Sequence, residues 1–134
     1  MAIILVDTCV ISDLGDPNGE WFEWSVINLE RLNQHHRLAI NPIIYSEYSI
    51  GYKSIEETEK VIQWLGFDVL QPSREALFLA GKAFLQYRRN KGRKNNVLPD
   101  FFIGAHAAVE QYRLVTRDMT RFSTYFPTLE LITP

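Results

Sequence analysis

Five apolar runs of only three or four residues, at 3–6, 37–40, 67–70, 114–116 and 129–132, punctuate this chain, and helical periodicity fills most of the intervals between them. Phe22, Val26, Leu29 and Leu32 repeat at helical spacing within 20–34. Ser54-Ile-Glu-Glu57 reads as a capping box opening a helix over 54–65 that carries Ile55, Ile62 and Leu65. Over 74–90 the stripe is Leu77, Ala80, Gly81, Phe84 and Tyr87 or Arg88. Short strands alternating with helices of this length predict a three-layer α/β/α sandwich around a central, mostly parallel sheet. No repeat, linker or low-complexity tract interrupts the pattern, so residues 1–134 are expected to form a single domain.

Four carboxylates break the apolar pattern. The stretch Pro42 to Gly51 reads as a short helix on which Glu47 shares a face with Ile43, Ile44, Ile50 and Gly51. A carboxylate on a core-facing stripe costs on the order of several kcal/mol unless a cation compensates it. Pro99 to Val109 reads as a second helix, with proline in its first turn and Asp100 on the tightly packed stripe Ile103, Gly104, Ala107, Ala108. Asp7 follows the run Ile3-Ile4-Leu5-Val6, and Asp118 lies two residues beyond Leu114-Val115-Thr116. Ligands of open parallel sheets bind at the carboxyl ends of the strands. Each acid also has a plainer role open to it. Asp7 could cap a helix beginning near Thr8, Asp118 a turn at Met119 to Phe122, Glu47 could pair with an arginine, and Asp100 could favour a helix dipole.

An acid cluster without histidine or cysteine partners suits Mg²⁺ or Mn²⁺ rather than zinc. His35 and His36 are expected at a solvated helix end and His106 on a helix flank, none of them catalytic. Cys9, the single cysteine, has no internal disulfide partner and reads as a small packed residue in a reducing compartment. The longest uninterrupted apolar stretch, Ala2 to Val6, is far too short for a membrane span. With neither a basic start nor a cleavage site, a signal peptide is not expected, which points to a cytoplasmic protein. The net charge of −2 gives no reason to expect nucleic-acid binding, but five of the fourteen basic residues (Arg88, Arg89, Lys91, Arg93 and Lys94) fall within seven positions. With the four acids screened by cations, the balance becomes 14 basic against 12 acidic side chains, enough for a positive rim around a metal-filled centre. The same run is equally readable as a solvated helix end. Tyr45, Tyr48 and Tyr52 form a stripe beside Glu47, suited to packing or to a partner-peptide groove.

These motifs together resemble a PIN domain, specifically the small VapC-type toxins of bacterial toxin–antitoxin pairs. The resemblance is carried by Val6-Asp7-Thr8-Cys9-Val10-Ile11, by Pro42 to Gly51 with its glutamate four residues before glycine, by Pro99-Asp100-Phe-Phe-Ile-Gly-Ala-His-Ala107, and by Val115-Thr116-Arg117-Asp118-Met-Thr-Arg-Phe122. It implies a PIN-like, Rossmann-like sandwich with Asp7, Glu47, Asp100 and Asp118 as catalytic and metal-binding acids. It further implies Mg²⁺- or Mn²⁺-dependent endoribonuclease activity on an RNA substrate, a homodimer, and a cognate antitoxin whose C-terminal segment occupies the acidic groove. Thr8 and Thr116 are expected to steady carboxylates or phosphate. RNA contacts are expected from Arg88, Arg89, Lys91, Arg93 and Lys94, and from Arg117 and Arg121. One position departs from the pattern. Many relatives carry an acid directly before the last phenylalanine, where this chain has Arg121. The alternatives are an inactive PIN-like module that binds RNA or protein, and a phosphatase or receiver-like domain using Asp7. The latter lacks its usual second aspartate, because residue 9 is cysteine.

Overall fold

The computed structural model describes residues 2–93 and 97–134. In chain order the elements are β1 (Ile3–Val6), α1 (Thr8–Asp13), α2 (Phe22–Asn33), β2 (Arg37–Ile40), α3 (Pro42–Ser49), α4 (Ile55–Leu65), β3 (Asp68–Val69), α5 (Arg74–Arg89), α6 (Leu98–Glu110), β4 (Arg113–Val115), α7 (Thr120–Tyr125) and β5 (Leu131–Ile132). The strands form one sheet in the order β3-β2-β1-β4-β5, and every pairing is parallel. The expected three-layer α/β/α sandwich is therefore present, with a sheet that is wholly parallel.

Strand order explains where a site can form. From β1 the chain steps outward to β2 and β3, then crosses back to place β4 on the other side of β1. Right-handed crossovers send α1 to α4 and α5 to α7 to opposite faces. The crevice between them opens at the carboxyl ends of β1 and β4. Ile4, Leu5 and Val6 are fully buried at the sheet centre, and the Asp7 amide continues the ladder by donating to the Val115 carbonyl at 3.0 Å.

Local signals account for the helix starts. Ser54 accepts from the Glu57 amide at 3.1 Å, and Ser73 and Asn41 cap α5 and α3 in the same way. The Glu57 side chain reaches back to the amide of Lys53, one residue earlier than a capping box places it.

The buried faces differ from the expected stripes in three places. On α5 the core-facing residues are Ala76, Ala80 and Ala83, whereas Leu77 is 43% exposed and Gly81 lies outside. Alanines let the α5 and α6 backbones approach closely, and that contact outweighs the burial of larger flanking side chains. On α4, Thr58 and Ile62 are buried while Ile55 is 66% exposed. On α3, Ile44 is fully buried but Ile50 is 85% exposed, so the Glu47 face is apolar only toward its N-terminal side.

His106, expected on a helix flank, lies on the buried side of α6. It is fully buried, its Nδ1 accepts from Asn41 Nδ2 at 3.2 Å, its ring meets Tyr112 edge-on, and among the described residues its Nε2 has no partner. Burial lowers its basicity and keeps it neutral. His35 is exposed as expected, while His36 accepts at Nε2 from Arg113 at 3.0 Å.

Gly104 sets the seat of α7. A Cβ there would lie 2.4 Å from Cε2 of Phe126 and 3.0 Å from Cδ1 of Phe122. Gly104→Ala is therefore expected to destabilise the fold by about 1–3 kcal/mol through overpacking, despite the higher helix propensity of alanine. Urea unfolding measures this, and a stability equal to or above wild type would show that the two rings yield freely.

Candidate active site

The crevice collects the four acids from four different elements, and the local sequence explains how each arrives there. Asp7 ends β1 and caps α1; Glu47 sits near the end of α3, which packs on α1 and α6; Asp100 stands in the first turn of α6; Asp118 follows β4. Asp7 is 7% exposed. Its Oδ1 accepts from the Thr8 amide at 2.8 Å, and its Oδ2 accepts from Thr116 Oγ1 at 2.7 Å and from Cys9 Sγ at 3.6 Å. The capping role is thus real, but it uses only one face of the carboxylate.

Hydrogen bonds divide the acids into two pairs. Thr8 joins the first: its amide holds Asp7, and its hydroxyl donates to Glu47 Oε1 at 2.6 Å. Arg121 joins the second: one nitrogen, Nη1, lies 2.5 Å from Asp100 Oδ2 and 3.4 Å from Asp118 Oδ2. Thr116 connects the halves, because its Oγ1 donates to Asp7 and accepts from the Asp118 amide at 3.1 Å. Among the described residues, Asp7 and Glu47 make no ion pair.

Electrostatics follow from this crowding. Burial raises the Asp7 carboxyl above its ordinary range, against the opposing pull of Thr116 and the Thr8 amide. Asp100 is pushed up to about 6, first by burial and then by the charge on Asp7, although Arg121 pulls it down. Burial and Asp7 push the Cys9 thiol up to about 11, which keeps it protonated and removes it as a nucleophile.

The donors are hard oxygens, the kind Mg²⁺ or Mn²⁺ takes. Among the described residues no three Asp, Glu, His or Cys side chains close on one point as a ready-made cage. Such a cage is not required, because Mg²⁺ binds through one or two carboxylates and keeps several waters. The burial and the repulsion from Asp7 that raise Asp100 are both relieved by a divalent ion, and Asp7 and Glu47 beside it have no ion pair among the described residues. The residues fit the ion.

Other expected participants lie around this centre. Arg117 donates from Nε and Nη2 to Asp13 at 3.1 and 3.2 Å, and its guanidinium stacks over Trp21 at 5.7 Å. Asp13 also accepts from Ser25 Oγ at 2.7 Å, so this residue clamps α1, α2 and the loop after β4 together. Sequence reading missed Asp13, and nothing local marks it. Arg88 and Arg89 occupy the exposed last turn of α5, where cations favour the helix dipole, and exposed Lys91 and Arg93 follow. Lys94 lies outside the described residues. Tyr48 and Tyr52 pair edge to face with hydroxyls 2.8 Å apart, and Tyr45 donates to Glu59 at 2.7 Å.

Comparison with known proteins bears on the fold and the family. Solved structures with the same fold include VapBC2 from Rickettsia felis bound to a promoter DNA fragment, at a TM-score of 0.75 and 22% identity over 98% of both chains. VapBC-1 from nontypeable Haemophilus influenzae gives 0.72 and 22% over 98% of this chain and 97% of that one. FitAcB from Neisseria gonorrhoeae gives 0.71 and 20% over the same shares. No curated protein sequence matches significantly. The family profile of the PIN domain matches residues 4–125, from the middle of β1 to the end of α7 and across all four acids, and the chain belongs to the PIN domain family.

Proposed function

We propose that this protein is a divalent-metal-dependent endoribonuclease and the toxin of a toxin–antitoxin pair. The observation that carries the reading is the Asp7–Thr8–Glu47 arrangement beside Asp100: a buried Asp7 and a half-buried Glu47 held by neutral donors, without an ion pair among the described residues. When bound, Mg²⁺ or Mn²⁺ supplies Lewis-acid stabilisation of the phosphodiester and a more acidic attacking water. Asp7 would hold the ion directly, and Asp100 and Asp118 would contribute to it directly or through water. Glu47 would orient the attacking water and accept its proton, with Thr8 keeping the carboxylate in place. Thr116 holds Asp7 in one rotamer and anchors the Asp118 amide.

Likeness to VapBC and FitAcB structures supports a cognate antitoxin as partner. An apolar cleft of about 320 Å³ between α2 and α4, rimmed by Trp64 at 84% exposure, supports a protein partner as well. Arg88, Arg89, Lys91 and Arg93, beside the start of α6, are the RNA-contacting rim in this reading. Cleavage of RNA is expected with Mg²⁺ or Mn²⁺ and is lost in EDTA. Thr8→Val keeps the side-chain shape but removes the bond to Glu47, and is expected to lower activity about 10- to 100-fold. Equal cleavage with and without chelator would exclude the metal mechanism, and an unaffected Thr8→Val would exclude the role given to Glu47.

A further inference from the structure

Arg121 occupies a place where a cation is required, and it does so from within the chain. Its Nη1 bridges Asp100 and Asp118, while its own amide donates to Asp118 Oδ1 at 3.3 Å, so one residue grips that carboxylate twice. The next residue, Phe122, is fully buried and fixes the helix that carries Arg121. The guanidinium side chain keeps 21% exposure, which leaves it a route out of the pocket. In the other half, Thr8 bridges Asp7 and Glu47 with neutral donors only. A lone pair given to a guanidinium is not available to a metal, and two cations at this spacing repel each other.

We infer that Arg121 is a built-in counter-cation for Asp100 and Asp118, which limits the nucleic-acid-free pocket to one divalent ion, on the Asp7 and Glu47 side. A second ion enters only when Arg121 leaves its carboxylates. An arriving phosphodiester offers that guanidinium another pair of anionic oxygens to bind, so substrate and second ion enter together. The inference rests on the metal-nuclease reading but makes a separate claim about stoichiometry.

The test counts Mn²⁺ bound to the purified, nucleic-acid-free chain by calorimetry and electron paramagnetic resonance. Wild type is expected to bind one ion. Arg121→Gln is expected to bind two, or one about 10- to 100-fold more tightly. Arg121→Lys, which retains the charge, is expected to behave as wild type. Should Arg121→Gln fail to fold, the Nε–H resonance of Arg121 in wild type provides the same information: it is expected to stay in place throughout an Mg²⁺ titration of the nucleic-acid-free protein and to move only when a phosphodiester is added with the metal, whereas movement with Mg²⁺ alone would overturn the inference. Two ions on wild type, or unchanged binding by Arg121→Gln, would overturn the inference and leave the metal reading intact. No Mn²⁺ bound by any of these proteins would overturn both.

Discussion

Asp7→Asn is expected to abolish RNA cleavage, by on the order of 10³-fold or more, while making the metal-free protein more stable. Both effects have one cause. The carboxylate is nearly inaccessible, and its hydrogen bonds from Thr8 and Thr116 only partly offset the cost of burying its charge. Asparagine retains the cap to the Thr8 amide and can donate to Thr116 Oγ1, so the fold loses a charge and keeps its geometry. Asp100→Asn is expected to follow the same pattern less strongly, because Arg121 already compensates part of that charge. The acid side of the stability curve carries the same sign. A carboxyl raised from 3.8 to about 6 contributes stability that is fully present below 3.8 and lost as pH rises through about 6. His106, held neutral by burial, contributes oppositely below its ordinary range, so the Asp100 contribution is read as the difference between wild type and Asp100→Asn. Thermal melts in EDTA across pH 4–8, beside an RNA cleavage assay with Mg²⁺, measure both. A less stable Asp7→Asn protein would mean that the carboxylate is a structural anchor rather than a group awaiting a cation.

Phe101→Ala is expected to cost about 3–5 kcal/mol, a large part of the roughly 5–15 kcal/mol that holds a domain together. Phe101 is fully buried, and its ring lies 5.7 Å from Phe84, 5.6 Å from Tyr87, 5.3 Å from Tyr125 and 6.1 Å from Phe126. It is the point at which α5, α6 and α7 meet, and it directly follows Asp100 in the chain. Removing the ring therefore loosens the turn that aims Asp100 at the crevice. A fall in melting temperature on the order of 10–20 °C is expected, with Phe101→Leu retaining much of the stability. A loss below about 1 kcal/mol would show that the cluster can collapse around the cavity.

Particular residues show how far sequence reading reached. The five strands of the described residues overlap the short apolar runs; β1, β2 and β4 are largely buried and leave a contiguous signature, while the edge strands β3 and β5 are two residues long and partly exposed. The starts of α4 and α6 were legible from Ser54 and Pro99, whose effects are confined to one turn. The buried faces of α4 and α5 were less legible. Leu77 and Ile55 are as apolar as core residues, but the faces that became buried carry Ala76 and Ala83 on α5 and Thr58 on α4. Hydrophobicity at helical spacing marks an amphipathic face and does not specify which edge of it a neighbour covers. His106 was misplaced for a related reason: its acceptor position is matched by Asn41, 65 residues earlier in the chain.

For the crevice, positions were readable and partnerships were not. Acids that end strands or interrupt apolar helices stand out because water is the default partner of a carboxylate and their neighbours exclude it. Thr116 reaches Asp7 across 109 residues, Thr8 reaches Glu47 across 39, and Arg121 reaches Asp100 across 21. No period or spacing encodes such contacts. They exist because parallel β1 and β4 bring their carboxyl ends together and α6 and α7 pack above them, so the division of four acids into a neutral-bridged pair and an arginine-bridged pair belongs to packing rather than to pattern.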